Sequence, residues 1–205
     1  MRLYLFRHGL SDANQAKLVT GTPADSLSTV GVAQVNRLSQ WVKELDITAD
    51  YYFFSHWQRA QQTAKIIFPD VDWFEDKRLG ETDAGTVASL TLDSFLKEQP
   101  DFYREPDNCY PGGESHKDLY TRVLSWLREL LQRSYESVVI VSHAGPIACI
   151  LHELLNIPLS QFPSILPSNS TLVIIDADLV AEKIVGKIIG LSLGSIDNLR
   201  DSLKG

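Results

Sequence analysis

The stretch Leu3-Tyr4-Leu5-Phe6-Arg7-His8-Gly9 is an apolar run of strand length that ends in a guanidinium, an imidazole and a glycine. A strand buried on both faces reads as a continuous apolar run, and open α/β sheets bind ligands at the C-terminal edge of such strands. The run therefore delivers Arg7 and His8 to that edge. Alone it carries little weight, because a histidine at a strand end is commonly a hydrogen-bonded loop residue. A second stretch repeats the pattern. Ser137-Val138-Val139-Ile140-Val141-Ser142-His143-Ala144-Gly145-Pro146 is β-branched, ends in a histidine and a glycine, and carries a proline suited to the first turn of a helix. The amide-rich start of that helix favours an anion.

Working outward from the first run, Ser11 to Asp25 is polar, carries Gly21 and Pro23, and reads as a loop over the edge where His8 sits, with Asn14 in it. Leu27-Ser28-Thr29-Val30-Gly31 opens a helix capped by Ser28, with Val35, Leu38, Val42 and Leu45 as its apolar stripe. Asp50 to Phe54 is a second strand. It runs into Ser55-His56-Trp57-Gln58-Arg59-Ala60, the start of a helix whose Ala60, Thr63, Ala64 and Ile67 share a small apolar face and which stops at Pro69. Arg59, in its first turn, then lies near the exit of that strand. A short strand at Val71 to Phe74 leads to Arg78-Leu79-Gly80-Glu81-Thr82-Asp83-Ala84-Gly85.

From Thr86 to Gly113 the periodicity fades, apart from a short helix at Leu92 to Glu98. Pro111-Gly112-Gly113-Glu114-Ser115 turns into a long helix with the stripe Leu119, Val123, Leu127 and Leu130, and Glu114 reads as a helix-start residue. Glycines before a helix favour phosphate, but the Lys-Ser/Thr pair of a P-loop is missing, which argues against a nucleotide site. Thr171 to Asp176 and Lys183 to Ile189 read as two more strands, the last antiparallel, and the polar tail from Ser195 to Gly205 as a loose helix. The expected fold is a three-layer α/β/α sandwich, with a mostly parallel central sheet, one antiparallel edge strand and a small cap.

At 205 residues and 44% hydrophobic, the chain has material for one sizeable core, so a single domain over 1–205 with a cap-like insertion at about 86–114 is expected. A net charge of −7 offers neither a phosphate-tracking nucleic-acid surface nor a polybasic membrane patch, which leaves small molecules as partners. Cys109 and Cys149 have neither metal-type spacing nor the density of a disulfide scaffold, and Cys149 lies in an apolar run. Arg7 and His8 interrupt the first apolar run, so no signal peptide is read, and no apolar stretch is long enough to cross a bilayer. A soluble cytoplasmic protein is the expectation.

Three strand exits thus bring Arg7 with His8, Arg59, and His143 to one sheet edge. Two guanidiniums and two imidazoles repel one another unless an anion joins them, and a phosphoryl group held by bidentate arginine contacts is the simplest one. Neighbouring arginines also keep an imidazole neutral and nucleophilic. His8, His143 and Glu81 are zinc-ligand residue types, but two adjacent guanidiniums argue against a cation.

The chain resembles the histidine phosphatase superfamily, the phosphoglycerate-mutase-like branch 1. The resemblance runs through Arg7-His8-Gly9 with Asn14, Leu27-Ser28 with Gly31 and Gln34, Ser55 with Arg59-Ala60 and Thr63-Ala64, Leu79 with Glu81 and Gly85, Gly112-Gly113-Glu114-Ser115, Ser142-His143, and Asn169-Ser170. It implies that His8 is phosphorylated in turnover, that Arg7, Asn14, Arg59 and His143 bind the phosphoryl oxygens, and that Glu81 is general acid and base, with Asp83 close enough to compete. No metal or cofactor is implied. The expected function is a phosphomonoesterase acting on a small phosphorylated metabolite and releasing inorganic phosphate. The alternatives are a phosphoglycerate-type phosphomutase and a non-catalytic phospholigand-binding relative. Three departures narrow the reading: Leu10 replaces a usually acidic or polar residue, Thr82 follows Glu81 where glycolytic mutases carry a substrate-reading arginine, and the cap is acidic. Trp57, Phe95, Phe102, Tyr103 and Tyr110 are candidates to line a pocket. Oligomeric state is left open, a homodimer included.

Overall fold

The two apolar runs pair with each other. In a computed structural model that describes residues 1–192, β1 (Arg2–Arg7) is followed by α1 (Asp12–Gln15), α2 (Thr29–Glu44), β2 (Tyr51–Phe54), α3 (Gln58–Ile67) and β3 (Trp73–Glu75). Then come α4 (Leu92–Glu98), α5 (His116–Leu131), β4 (Ser137–Ser142), α6 (Ala144–Leu154), β5 (Leu172–Val180) and β6 (Lys183–Leu191). The tail from Ser195 to Gly205, read as a loose helix, lies outside the described residues. No helix of the described residues is long and apolar enough to cross a membrane.

The strands form one sheet in the order β3-β2-β4-β1-β5-β6. β1, β2, β3 and β4 are mutually parallel, whereas β5 runs antiparallel to β1 and β6 antiparallel to β5. The strand opposed to the parallel set is therefore β5, and β6 joins it as a hairpin. Ala181 and Glu182 at the hairpin tip have φ of 48° and 64°, the left-handed pair that a two-residue turn of matching twist demands, and an alanine-glutamate pair gives no hint of it in sequence.

Alternation along the central strands sends side chains to both faces. Leu3, Leu5, Val138 and Ile140 pack against α5 and α6 through Leu119, Val123, Leu127 and Ile147. Phe6, Val139 and Val141 pack against α2 and α3 through Val35, Leu38, Ala60 and Ala64. Three layers result. A smaller apolar cluster of Ala84, Ala88, Phe95, Phe102 and Tyr110 holds together the segment read as a cap.

Local chemistry sets most boundaries. Ser28 accepts from the Gly31 amide at 3.1 Å and starts α2, and Ser115 with Asp118 forms a capping box that starts α5. Leu45, expected in the buried stripe of α2, is 61% exposed because the helix ends at Glu44. β3 begins at Trp73 and not Val71, after a turn at Pro69 to Val71, and β5 runs to Val180, well beyond Asp176. The loop read over Ser11 to Asp25 contains α1, because Ser11 and Asn14 cap each other: the Asn14 amide donates to Ser11 Oγ at 3.1 Å.

The exit of β1 is pressed against α2. A Cβ on Gly31 would lie 1.9 Å from the Leu10 carbonyl oxygen, so only a hydrogen fits there. Gly31→Ala should destabilise the protein by about 1–3 kcal/mol through backbone displacement, seen as a drop of roughly 3–10 °C in the thermal midpoint. Gly190→Ala on β6, whose nearest neighbour would be 3.8 Å away, should change it little. Equal midpoints for the two variants would contradict this account of the β1–α2 contact.

Candidate active site

Register, not sequence proximity, brings the two histidines together. In the parallel β1–β4 pair Arg7 lies opposite Ser142, so the next residue of each strand, His8 and His143, leaves the sheet at the same level. Their rings meet at a centroid distance of 4.9 Å. β2, the other neighbour of β4, ends one step earlier and contributes Ser55, whose Oγ lies 2.8 Å from His143 Nε2. α3 follows, and its first turn directs Arg59 to the same point. The Arg59 Nε donates to His8 Nε2 at 3.0 Å, while Nη1 and Nη2 donate to the carbonyls of Thr22 and Thr20. The loop over the sheet edge thus fixes the guanidinium. Trp57 supports it from below, with the Arg59 Cζ 4.3 Å from the indole centroid, and packs its other side against His143.

This geometry settles the tautomer of His8. Its Nδ1 lies 2.6 Å from the Gly9 carbonyl, which can only accept, so Nδ1 carries the proton and Nε2 the lone pair. The Arg59 Nε–H pointing at Nε2 agrees with that assignment. Burial, then the charges of Arg59 and Arg7, hold the His8 pKa well below the ordinary histidine range, and burial with Arg59 does the same for His143. Both rings are neutral at neutral pH. Burial lowers Arg7 and Arg59 to about 10, which still leaves them charged there.

Arg7, Asn14, Arg59 and Glu81 all line one cleft of about 390 Å³. Arg7 donates Nη1 to the Pro167 carbonyl and leaves its buried Nε without a partner, as is the buried Nδ1 of His143. Unpaired buried polar atoms are rare in folded proteins and commonly mark a place completed by something else. Asn14 Oδ1 accepts from Asn169 Nδ2 at 3.2 Å, so its own amide nitrogen is the end left to donate. Asn169 and Ser170 pin the exit of β1, with Asn169 Nδ2 and the Ser170 amide both reaching the His8 carbonyl.

Glu81 takes the amide-rich start of α6 that sequence alone offered to an external anion: its Oε2 accepts from the Gly145 amide at 3.3 Å and its Oε1 from the Thr82 amide at 3.0 Å. A Cβ on Gly145 would lie 2.3 Å from Glu81 Oε1, so the glycine admits the carboxylate. Asp83 is exposed and accepts from the Gly85 amide at 2.9 Å within its own turn.

Several contributors were not legible beforehand. Arg122, halfway along α5, donates to the carbonyls of Arg78, Gly80 and Glu81 and pairs with both carboxylate oxygens of Glu114 through its Nε and Nη2, which fixes the loop that carries Glu81. Glu114 is therefore a clamp and more than a helix-start residue. Nothing in its spacing distinguishes Arg122 from the other charged residues of that helix. Of the aromatic candidates, Tyr103 and Tyr110 line the cleft, Phe95 and Phe102 pack in the small cluster beneath it, and Trp57 supports Arg59. His116 and Phe162 line it as well, from two elements with no motif between them. The described residues hold no group of three or more histidine, cysteine or acidic side chains placed to bind a metal.

Residues 3–186 match the histidine phosphatase superfamily, branch 1. Among similar proteins, the fructose-2,6-bisphosphatase of Saccharomyces cerevisiae is 32% identical over 171 residues, covering 78% of this chain and 36% of that protein. A 2,3-bisphosphoglycerate-dependent phosphoglycerate mutase of Methylobacterium is 32% identical over 176 residues, covering 80% of this chain and 85% of its own. The chain thus spans about a third of the first relative and most of the second. A mycobacterial glucosyl-3-phosphoglycerate phosphatase, solved with VO3, superposes with a TM-score of 0.79 at 25% identity, over 92% of this chain and 97% of that one. A match that takes in both apolar strand runs, the helix start at Arg59 and the Glu81 loop makes this chain a member of branch 1 of the histidine phosphatase superfamily.

Proposed function

We propose that the protein is a phosphomonoesterase that works through a phosphohistidine on His8. The observation that carries the reading is the lone pair of His8 Nε2, held neutral and oriented at 3.0 Å from the Arg59 guanidinium. A phosphoryl group entering above it takes over the Arg59 donor and meets Arg7, Asn14 and His143. These groups stabilise the charge that spreads over the equatorial oxygens, and the fixed ring gives in-line attack. The Nε2–P bond forms as the P–O bond to the substrate alcohol breaks, and Glu81 gives that oxygen its proton. Water then attacks phosphorus, its proton passes to the Glu81 carboxylate, the N–P bond breaks, and phosphate leaves with His8 restored. Every step uses groups of this chain and water alone.

A phosphomutase shares the first half of this sequence and has the Methylobacterium relative in its favour. It must then hold a second anionic group of the product for the return transfer. The residue after Glu81 is a buried threonine, and the described residues of the cleft offer no cation beyond Arg7 and Arg59, which supports hydrolysis. The mycobacterial phosphatase and the yeast bisphosphatase are relatives whose names denote phosphoryl release.

With an aryl phosphate in the presence of chelator, turnover should be seen, and His8→Ala should lower it to background. Activity that vanishes in chelator and returns with added metal would remove this mechanism. Isomerisation of phosphoglycerate faster than phosphate release would replace it by the mutase reading. Glu81→Gln should slow release of an alkyl alcohol by about 10²-fold or more and of a nitrophenol far less, since the latter leaves without a proton. Equal losses would take Glu81 out of the acid role.

The neutral imidazoles also give a stability signature. Their folded pKa values lie below the unfolded value near 6.5, so below that pH the unfolded chain binds protons the native protein does not, and stability is lost as pH falls. In a phosphate-free buffer the thermal midpoint should fall from pH 7 to pH 5, and His143→Asn should flatten the slope by about one proton. An unchanged slope in His143→Asn would show that this ring titrates alike in both states.

A further inference from the structure

The cleft is divided by charge in a way that phosphoryl chemistry does not require. Among the described side chains that line it, only Arg7, Arg59 and Glu81 bear formal charge, and all three belong to the phosphoryl end. Apart from Asn14, Thr20 and Thr82, the remainder of the wall is aromatic, aliphatic or glycine. His116 stacks on Tyr103 with an interplanar angle of 11° and a centroid distance of 5.5 Å, and meets Phe162 at 5.0 Å. Leu92 and Leu166 complete the wall, and Leu166 is 56% exposed although nothing in the sequence marks it as a surface residue. The Tyr103 and Tyr110 hydroxyls are 2.9 Å apart, so one donates to the other and the pair keeps a single hydroxyl hydrogen to offer. Burial raises both phenols and lowers His116, so none of these polar tips is charged near neutral pH. Two nearby arginines are committed elsewhere: Arg122 to Glu114 and three carbonyls, and Arg104 to Asp101 on the outer surface.

A second carboxylate or phosphate on the substrate would lose its hydration against this wall, find no guanidinium or ammonium among the described residues there, and face Glu81. An apolar group would gain by leaving water. We propose that the leaving group this cleft is built for is an uncharged, largely apolar alcohol, best a flat aromatic one, held between Tyr103, His116, Phe162, Leu92 and Leu166. This rests on the phosphomonoesterase reading and names its substrate class.

The test compares kcat/KM for benzyl phosphate, glycerol phosphate and 3-phosphoglycerate, which all release alkoxide-type oxygens and so hold the demand for a proton nearly constant. Benzyl phosphate should exceed glycerol phosphate by roughly thirtyfold, the gain expected for burying a phenyl ring, and 3-phosphoglycerate by more. Phe162→Ala should raise KM for benzyl phosphate about tenfold while kcat changes little. Leu92→Arg, at a half-buried position of the wall, should move the preference toward 3-phosphoglycerate. Trapping of phosphate on His8 is scored for every substrate. If His8 is labelled and either hydrophilic substrate matches or outruns benzyl phosphate, or Leu92→Arg leaves the preference where it was, the apolar leaving-group site is overturned and the phosphatase reading stands. If no substrate turns over and His8 takes no label, the phosphatase reading falls, and this inference with it.

Discussion

Four nitrogen-rich side chains from three strand exits share one buried edge, and the fold tolerates them only because two stay neutral. Arg7 and Arg59 hold full charge there, and their field together with burial keeps His8 and His143 deprotonated. Had either imidazole charged, the cluster would hold three cations with no counter-ion of its own beyond Glu81. The same repulsion that would destabilise a charged ring leaves a free lone pair on His8 Nε2 and an unfilled demand for negative charge around it. Stability and reactivity are here two consequences of one field.

Backbone carbonyls supply most of the anchors that hold that arrangement. Arg59 is tied to the Thr20 and Thr22 carbonyls, Arg7 to that of Pro167, His8 to that of Gly9, and the Glu81 loop to Arg122 through three carbonyls of its own. Carbonyl partners fix a guanidinium without neutralising it, as a carboxylate would. Arg122 is the informative contrast. Its partner is Glu114, and with its charge matched it serves as a brace behind the Glu81 loop rather than as a group of the cleft.

Glu81 occupies the place where the helix field of α6 would receive an anion. The helix start therefore holds a carboxylate near the cluster, and Gly145 is the residue that makes room. Beyond Glu81 the described wall of the cleft is mainly apolar, so charge is concentrated at one end and aromatic and aliphatic side chains at the other.

Patterns local in sequence were readable as such. The apolar runs of β1 and β4, the stripes of α2, α3 and α5, the serine caps at Ser28 and Ser115, and the residues Arg7, His8, Arg59 and His143 at strand or helix boundaries follow from periodicity and turn chemistry, which act over a few residues. The departures lie where longer contacts intervene. Leu45 is exposed because the helix ends at Glu44, and Asp12–Gln15 is helical because the mutual cap of Ser11 and Asn14 outweighs a polar composition. Register made the 4.9 Å approach of His8 and His143, and no single strand encodes a register. Arg122, His116 and Phe162 joined the cleft or its supports from elements whose mutual placement is set by the packing of the core, so their functions became visible only in three dimensions. The sequence by itself determined which groups stand at the ends of the elements; the tertiary structure decided which of them meet, because distance across a sheet is fixed by strand pairing and not by position along the chain.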